Sequence, residues 1–176
     1  MGEIIPWQAY HRNVYSRCMW PHPVPRGHSW RPFEPGHQAE LLLGAERLNP
    51  KNPVSIFAAC KVYSKKRFYT IAIEHCEKAL VLNPNGLNLM NRLAWLYAKK
   101  SIKLELALEL INKSIKVSPD RADFIDTLSE VLFVQGKVIM AEKAISKAIK
   151  LKPNNAYYKQ QLRRFKNSRL IEAIGN

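Results

Sequence analysis

The residues best suited to metal binding or acid–base chemistry cluster near the start of the chain. Four of the five histidines and one cysteine lie there: His11, Cys18, His22, His28 and His37. Imidazole and thiolate groups bind zinc when they are paired at short, regular spacings, and no two of these residues have such a spacing. His75 stands alone in a helical segment, and the chain has no Gly-rich phosphate loop or nucleophile motif. We therefore predict no catalytic residues, no metal and no cofactor.

Regularly spaced prolines organise the rest of the chain. Pro50, Pro84, Pro119 and Pro153 follow one another at intervals of 34, 35 and 34 residues. Each closes an apolar helical segment: AERLNP, EKALVLNP, NKSIKVSP and SKAIKLKP. A repeat of this length is typical of stacked helix pairs, because a single pair cannot bury its apolar face alone.

The central unit, residues 85–119, resembles the tetratricopeptide repeat (TPR) family. The matching residues are Met90, Leu93, Ala94 and Tyr97 on the first helix, and Ala107, Ile111, Ser114 and Pro119 on the second. The unit before it matches at Ile56, Ala59, Cys60, Tyr63, Ala72, Cys76, Ala79 and Pro84. The unit after it matches at Ile125, Leu128, Ser129, Leu132, Ala141, Ile145, Ala148 and Pro153. The resemblance implies an all-α, right-handed superhelical solenoid of antiparallel helix pairs.

The repeat spacing divides the chain into five parts. We predict an irregular arm at 1–35, the second helix of a partial repeat at 36–50, and a C-terminal capping helix at 154–176. The three complete repeats are 51–84, 85–119 and 120–153. The arm is rich in proline and contains Trp7, Trp20 and Trp30. We expect it either to lie along the first repeats or to be the tail of an upstream domain.

Capping residues predict where the helices begin and end. Asn52 and Pro53 indicate a helix at 53–65, and its partner follows at 68–82. The next pair is predicted at 87–99 and 103–117. Asp120 is predicted to cap a helix that ends near Gln135, before a left-handed Gly136. The remaining helices are predicted at 138–151 and from Ala156 onward, the last one capped by Asn154 or Asn155.

Two of the three cysteines fall at core positions of one helix pair. Cys60 and Cys76 match apolar positions of the repeat, so we expect two buried thiols. Because their helices are adjacent, a disulfide between them is the alternative.

Charge is the unusual feature of the composition. The chain has 28 Lys and Arg against 14 Asp and Glu, a net charge of +14. The excess is spread along the chain and should attract acidic partners. No apolar stretch is long enough to span a bilayer, and the start lacks the apolar core of a signal peptide. These features predict a cytoplasmic protein, and its oligomeric state stays open.

The family resemblance implies a concave face lined by the first helix of each pair. We call the eleven residues predicted on it the inner face: Phe57, Lys61, Lys65, Asn88, Asn91, Arg92, Trp95, Lys99, Asp123, Asp126 and Glu130. It is basic and aromatic in its first half and acidic in its last third. Trp95 is the predicted anchor, and an equal alternative is that it packs against the neighbouring repeat. We expect Lys61 and Arg92 to be exposed.

One known use of such a groove does not fit these residues. Chaperone-binding members of the family hold a terminal carboxylate with Lys, Asn and Arg side chains from three inner helices. Here Lys61 and Arg92 stand at two of the Asn positions, and Asp123 and Thr127 stand at the Lys and Arg of the third helix. We therefore predict that this clamp is absent.

The sequence favours a non-catalytic scaffold that binds a partly acidic peptide or protein segment. The alternative is binding of a polyanion, such as nucleic acid, through the spread positive charge. A minor alternative is an enzyme fragment, because the run Glu34-Pro35-Gly36-His37-Gln38, followed by Glu40, is similar to a segment of sugar 2-epimerases.

Overall fold

The computed structural model describes Gly44, Asn49 and residues 51–174, and residues 51–174 form seven helices and no strand. The helices are α1 (Pro53–Lys65), α2 (Tyr69–Leu82), α3 (Leu87–Lys100), α4 (Leu104–Val117), α5 (Ala122–Val134), α6 (Val138–Leu151) and α7 (Ala156–Ile174). They pack as three consecutive pairs, α1 with α2, α3 with α4 and α5 with α6, and α7 packs on α6. The predicted all-α array of helix pairs is confirmed. The predicted arm at 1–35 lies outside the described residues, as does nearly all of the partial repeat at 36–50.

Two of the predicted helix caps are present and one is wrong. Asn52 Oδ1 accepts a hydrogen bond from the Val54 N–H at 2.9 Å. Asn155 Oδ1 accepts from the Tyr157 and Tyr158 N–H groups at 3.0 and 3.3 Å. Asp120 does not cap α5, because the Arg121 N–H bonds to the Ser118 carbonyl and closes a turn that holds Asp120 outside the helix. Arg121 is the N-cap residue and supplies no side-chain cap.

The first helix of every repeat ends in the same way. The N–H groups of Phe68, Ile102 and Lys137 donate to the carbonyls of Tyr63, Tyr97 and Leu132, five residues earlier, at 2.9–3.0 Å. This bond belongs to a motif in which the residue just before the donor takes a left-handed conformation. That residue is Arg67, Ser101 and Gly136 in the three repeats, with φ of 63°, 54° and 77°. Lys103, also left-handed at φ 47°, accommodates the one extra residue of the central repeat.

Small residues stand where the helices approach most closely. Ala59, Ala72, Ala94, Ala107 and Ala141 are all fully buried. Ser114 replaces alanine at one such position, and its hydroxyl donates to the Leu110 carbonyl at 3.0 Å, so the buried oxygen is satisfied. Larger side chains there would separate the helices. The buried small residues thus recur at the spacing predicted from the sequence.

The capping helix completes the core of the third repeat. Phe165 is fully buried and stacks on Phe133, with ring centroids 4.6 Å apart. Tyr158 is also buried against this cluster. The outward side chains of α7 are polar or basic along most of its length, as the end of a stacked array requires.

Cys60 and Cys76 form a disulfide, which corrects the expectation of two thiols. Cys60 stands at a small-residue position of α1, and Cys76 is the residue of α2 that faces it. The close approach of the two helices brings the Cα atoms to 5.4 Å, a separation that suits a disulfide. Both cysteines are fully buried.

Candidate peptide-binding face

Side chains from α3, α5 and α7 meet on one surface. Arg121, just before α5, donates to Asn88 Oδ1 on α3 at 2.8 Å. Lys99 at the end of α3 donates to Glu130 on α5 at 2.7 Å. Arg164 on α7 donates to the other oxygen of the same carboxylate. These contacts join the predicted inner residues of the second and third repeats into a continuous surface and extend it onto α7.

The first repeat contributes an aromatic ring and two exposed cations. Phe57 is half-buried, and the Lys61 ammonium lies 5.1 Å from its ring centroid. Lys61 and Lys65 are exposed, and neither pairs with a carboxylate within the described part of the chain. Their charge is therefore available to a ligand.

Trp95 lies at the centre of this surface and is half-buried. The guanidinium of Arg92 and the ammonium of Lys99 lie 5.8 and 5.3 Å from its ring centroid. Tyr69 of the preceding repeat meets the ring edge-on at 5.9 Å. Trp95 therefore packs against the neighbouring repeat while part of its ring stays accessible, and its role as an anchor stays a prediction.

Arg92 is half-buried, so the expectation that it is exposed is wrong. Its packing against the Trp95 ring covers the side chain, and this burial lowers the pKa of the guanidinium. Among the residues that the structure describes, no carboxylate pairs with it. The adjacent Asn91 has a buried Oδ1 without a hydrogen-bond partner in the same region.

The acidic residues of the third repeat are largely neutralised from within. Glu130 is buried and lies between Lys99 and Arg164. Asp123 pairs with Arg121. Burial acts to raise the pKa of Asp123, but the hydrogen bond and charge of Arg121 outweigh it, so the pKa lies below its ordinary value. Thr127 is buried and donates to the Asp123 carbonyl at 3.2 Å.

Asp126 differs from its acidic neighbours. Burial, followed by the charge of Glu130, raises the pKa of Asp126 to about 7. Lys99 and Arg164 act in the opposite direction but do not cancel these effects. The acidic third of the inner face therefore presents less negative charge than the sequence alone indicates.

A cavity of about 400 Å³ lies along the edge of this surface at which α1 and α3 begin. Phe57 and Val54 of α1 form one side, and Asn88 of α3 and Arg121 form another.

Two arginines of this surface, Arg121 and Arg164, were not among the residues predicted from the sequence. Arg164 could have been found, because it follows Glu130 by 34 residues, one repeat length. Arg121 stands at the N-cap position, where the first two repeats have Asn52 and Gly86, so the repeat pattern gives no sign of an arginine there.

No group of His, Cys, Asp or Glu among the described residues could hold a metal ion. His75 is half-buried and stacks on Tyr63, with ring centroids 5.1 Å apart. The histidines at 11, 22, 28 and 37, Cys18, and the segment similar to sugar 2-epimerases lie outside the described part. Within that part, no helix has the length and apolar character needed to cross a membrane.

Comparison with known proteins identifies the fold. No family profile and no curated protein matches the chain by sequence. The first TPR of Spaghetti (RPAP3), solved bound to the HSP90 peptide SRMEEVD, is 20% identical with a TM-score of 0.58, over 66% of this chain and 91% of that one. MamA from Desulfovibrio magneticus RS-1 is 20% identical with a TM-score of 0.67, over 92% and 84%. The Sgt2 TPR domain from Aspergillus fumigatus is 20% identical with a TM-score of 0.59, over 70% and 82%. The chain thus has the tetratricopeptide-repeat fold, a right-handed superhelical solenoid of helix pairs.

Proposed function

We propose that this protein is a non-catalytic scaffold whose inner face binds a segment of another protein. The observation that carries the proposal is Trp95, a partly accessible indole between two cations on a surface shared by successive repeats. Aromatic and Arg side chains contribute most of the binding energy in protein interfaces. The solved RPAP3 domain, which holds a peptide on the same fold, supports this use of the surface.

The site favours acidic segments near the first two repeats. Lys61, Lys65 and Arg92 have no carboxylate partner in the described region, whereas Lys99 is already paired with Glu130. The eleven predicted inner residues remain our proposed binding face, with its ligand-binding part concentrated around Phe57, Lys61, Arg92 and Trp95. The divided charge of the predicted inner face also suggests a ligand with acidic residues toward the first repeats and basic or neutral residues toward the third. Because Asp123 and Glu130 are paired internally, we propose neutral rather than basic residues at that end.

Replacing Trp95 tests this proposal directly. Proteins captured by the intact chain should be lost from the Trp95→Ala variant, because the variant lacks the central aromatic contact. Val81→Ala, at an exposed apolar residue of α2, is the matched control and should retain them. Both variants should give the helical circular dichroism of the parent. Retention of the same partners by folded Trp95→Ala would remove the proposed site.

Polyanion binding is the second candidate, and one observation favours it. Lys78, Lys113 and Lys147 occupy equivalent positions in the three second helices, and all three are exposed. Such a row could contact successive phosphates. Affinity for nucleic acid would then fall steeply as salt rises, whereas binding centred on Trp95 should weaken little.

The disulfide bears on the cellular compartment of the protein. The sequence suggested the cytoplasm, but the Cys60–Cys76 disulfide argues against it, because thiols in the cytosol are kept reduced.

A further inference from the structure

The charges of the inner face are balanced in the third repeat and unbalanced in the second. Glu130 has two cationic partners and Asp123 has one. Arg92 is half-buried, yet within the described residues it has no anionic partner. Burying a charged group without a partner is costly, and a ligand anion would remove that cost. The planar guanidinium is suited to two parallel hydrogen bonds with a carboxylate.

The carboxylate that Arg92 fits is not a chain terminus. A terminal carboxylate in the chaperone-type clamp needs cations on the third inner helix. Asp123 and Thr127 occupy those positions, and Asp126 and Glu130 lie on the same helix. The third inner helix therefore lacks the Lys and Arg of that clamp, and the nearby cations Lys99 and Arg164 are already paired with Glu130. An acidic side chain within a longer segment can reach Arg92 without entering this region.

The distance between Arg92 and Trp95 indicates how far apart two ligand side chains must be in the ligand sequence to contact both residues. The guanidinium carbon lies 5.8 Å from the indole centroid. In an extended peptide the chain rises about 3.3 Å per residue, so side chains two residues apart lie on the same face at about 6.6 Å. One such side chain can therefore contact Arg92 while the next on that face contacts the ring of Trp95.

We infer that the protein recognises an internal, extended segment in which an Asp or Glu and a large apolar residue are separated by one residue. The acidic side chain binds Arg92, and the apolar side chain packs on Trp95. Lys61 and Lys65 favour additional acidic residues toward the first repeat. This inference rests on the proposed function, because it concerns the ligand of the same face.

Defined peptides test the inference on the full 176-residue chain. The probe is a fluorescein-labelled Gly/Ser peptide with blocked ends that contains Glu-Ser-Leu. Three comparison peptides carry Gln in place of Glu, Glu and Leu as direct neighbours, or no internal Glu and a free C-terminal carboxylate. Fluorescence anisotropy gives each affinity. The Glu-Ser-Leu peptide should bind about tenfold or more tightly than each comparison peptide, because only it satisfies Arg92 and Trp95 together.

Variants of the protein separate this inference from the proposed function. Arg92→Gln should weaken binding of the Glu-Ser-Leu peptide about tenfold and leave the Gln peptide unchanged. Lys116→Gln, at an exposed lysine of α4, is the control and should change neither. Thermal melts establish that Arg92→Gln is folded, and Arg92→Lys provides a second, charge-preserving variant that should lose part of the affinity.

The outcomes are distinct. If Trp95→Ala abolishes peptide binding but neither Arg92 variant affects it, the inference fails and the proposed function stands. The inference also fails if the peptide with the free carboxylate binds most tightly. If no peptide binds at millimolar concentration and Trp95→Ala also retains every captured protein, both are wrong.

Discussion

At the residue scale, the ion pairs of the inner face decide which charged residues are available to a ligand. Lys99 and Glu130 have opposite charges in the sequence pattern and were assigned to opposite ends of a groove. In the structure they form an ion pair at 2.7 Å, and Arg164 neutralises the same carboxylate from α7. Glu130 is therefore a structural residue that attaches the capping helix. The residues left for a ligand are those without an internal partner in the described region.

Asp126 should make stability depend on pH near neutrality. Its folded-state pKa of about 7 lies above the value of about 3.9 for an unfolded chain. The folded protein therefore keeps a proton that the unfolded chain has lost between about pH 4 and pH 7. This contribution to stability is full below about pH 4 and is lost as the pH rises through about 7.

Replacing Asp126 with Asn should remove this dependence. At pH 8, Asp126→Asn should be more stable than the parent by on the order of 1 to 3 kcal/mol, because folding of the parent partly buries a carboxylate that is already ionised in the unfolded chain. At pH 4.5 the difference should be much smaller. Urea unfolding at the two pH values measures it. Asp120→Asn, at an exposed turn residue, is the matched control. An equal difference for Asp126→Asn at both pH values would contradict the raised pKa.

At the scale of helices, the first pair is held differently from the other two. The Cys60–Cys76 disulfide crosslinks α1 to α2 across 16 residues of sequence. The second pair is tied to α2 by a polar contact, in which the Tyr97 hydroxyl donates to Glu77 at 2.6 Å. Burial, followed by this hydrogen bond, raises the pKa of Tyr97. The edge of the array that carries Lys61 and Lys65 is thus anchored by a covalent bond.

Reduction should destabilise the first pair. A disulfide that closes a loop of this length contributes about 2–4 kcal/mol to the free energy of unfolding. Thermal melts with and without reductant should therefore differ, and the Cys60→Ala/Cys76→Ala double variant should melt at one temperature in both. Thiol titration of the oxidised protein in denaturant should find one reactive thiol, from Cys18. Three reactive thiols would show that the disulfide does not form.

At the scale of the whole molecule, positive charge covers more than one surface. The inner face carries Lys61 and Lys65, whereas Lys116 and Lys150 are exposed on the second helices α4 and α6. A net charge of +14 attracts a polyanion to every basic surface of the protein, whereas binding at the inner face should depend on the charges of that face. The same change in net charge, made once on the inner face and once on the second helices, distinguishes these two mechanisms.

Charge reversal at the inner face should slow association with an acidic partner. Lys61→Glu/Lys65→Glu removes long-range attraction at the proposed site, and about a tenfold fall in association rate is expected at low salt. Lys116→Glu/Lys150→Glu changes the net charge equally and should have little effect. All four residues are exposed, so both variants should fold. Stopped-flow binding to a captured partner measures the rates. Equal losses in both variants would favour general polyanion attraction over the groove.

The sequence by itself determined the helices and their register. Local signals set the boundaries, because Asn52, Asn155 and Gly136 act on backbone groups only a few residues away. The recurring small residues determined which faces meet, because only they allow close helix contacts. The predicted helix ends agree with the structure to within one or two residues. The Asp120 cap failed because Asp120 lies one residue before the N-cap position, inside a turn that also precedes α1, α3 and α7.

Only the tertiary structure decided which predicted site residues are available. Lys99, Glu130 and Arg164 are separated by more than thirty residues along the chain, so no local pattern shows that they pair. The state of Cys60 and Cys76 likewise depends on how closely α1 approaches α2, since buried thiols and a disulfide have the same sequence pattern. Arg92 differs, because the ring it packs on, Trp95, lies three residues further along the same helix. Charge and burial in this fold depend on contacts between repeats, which the spacing within one repeat does not specify.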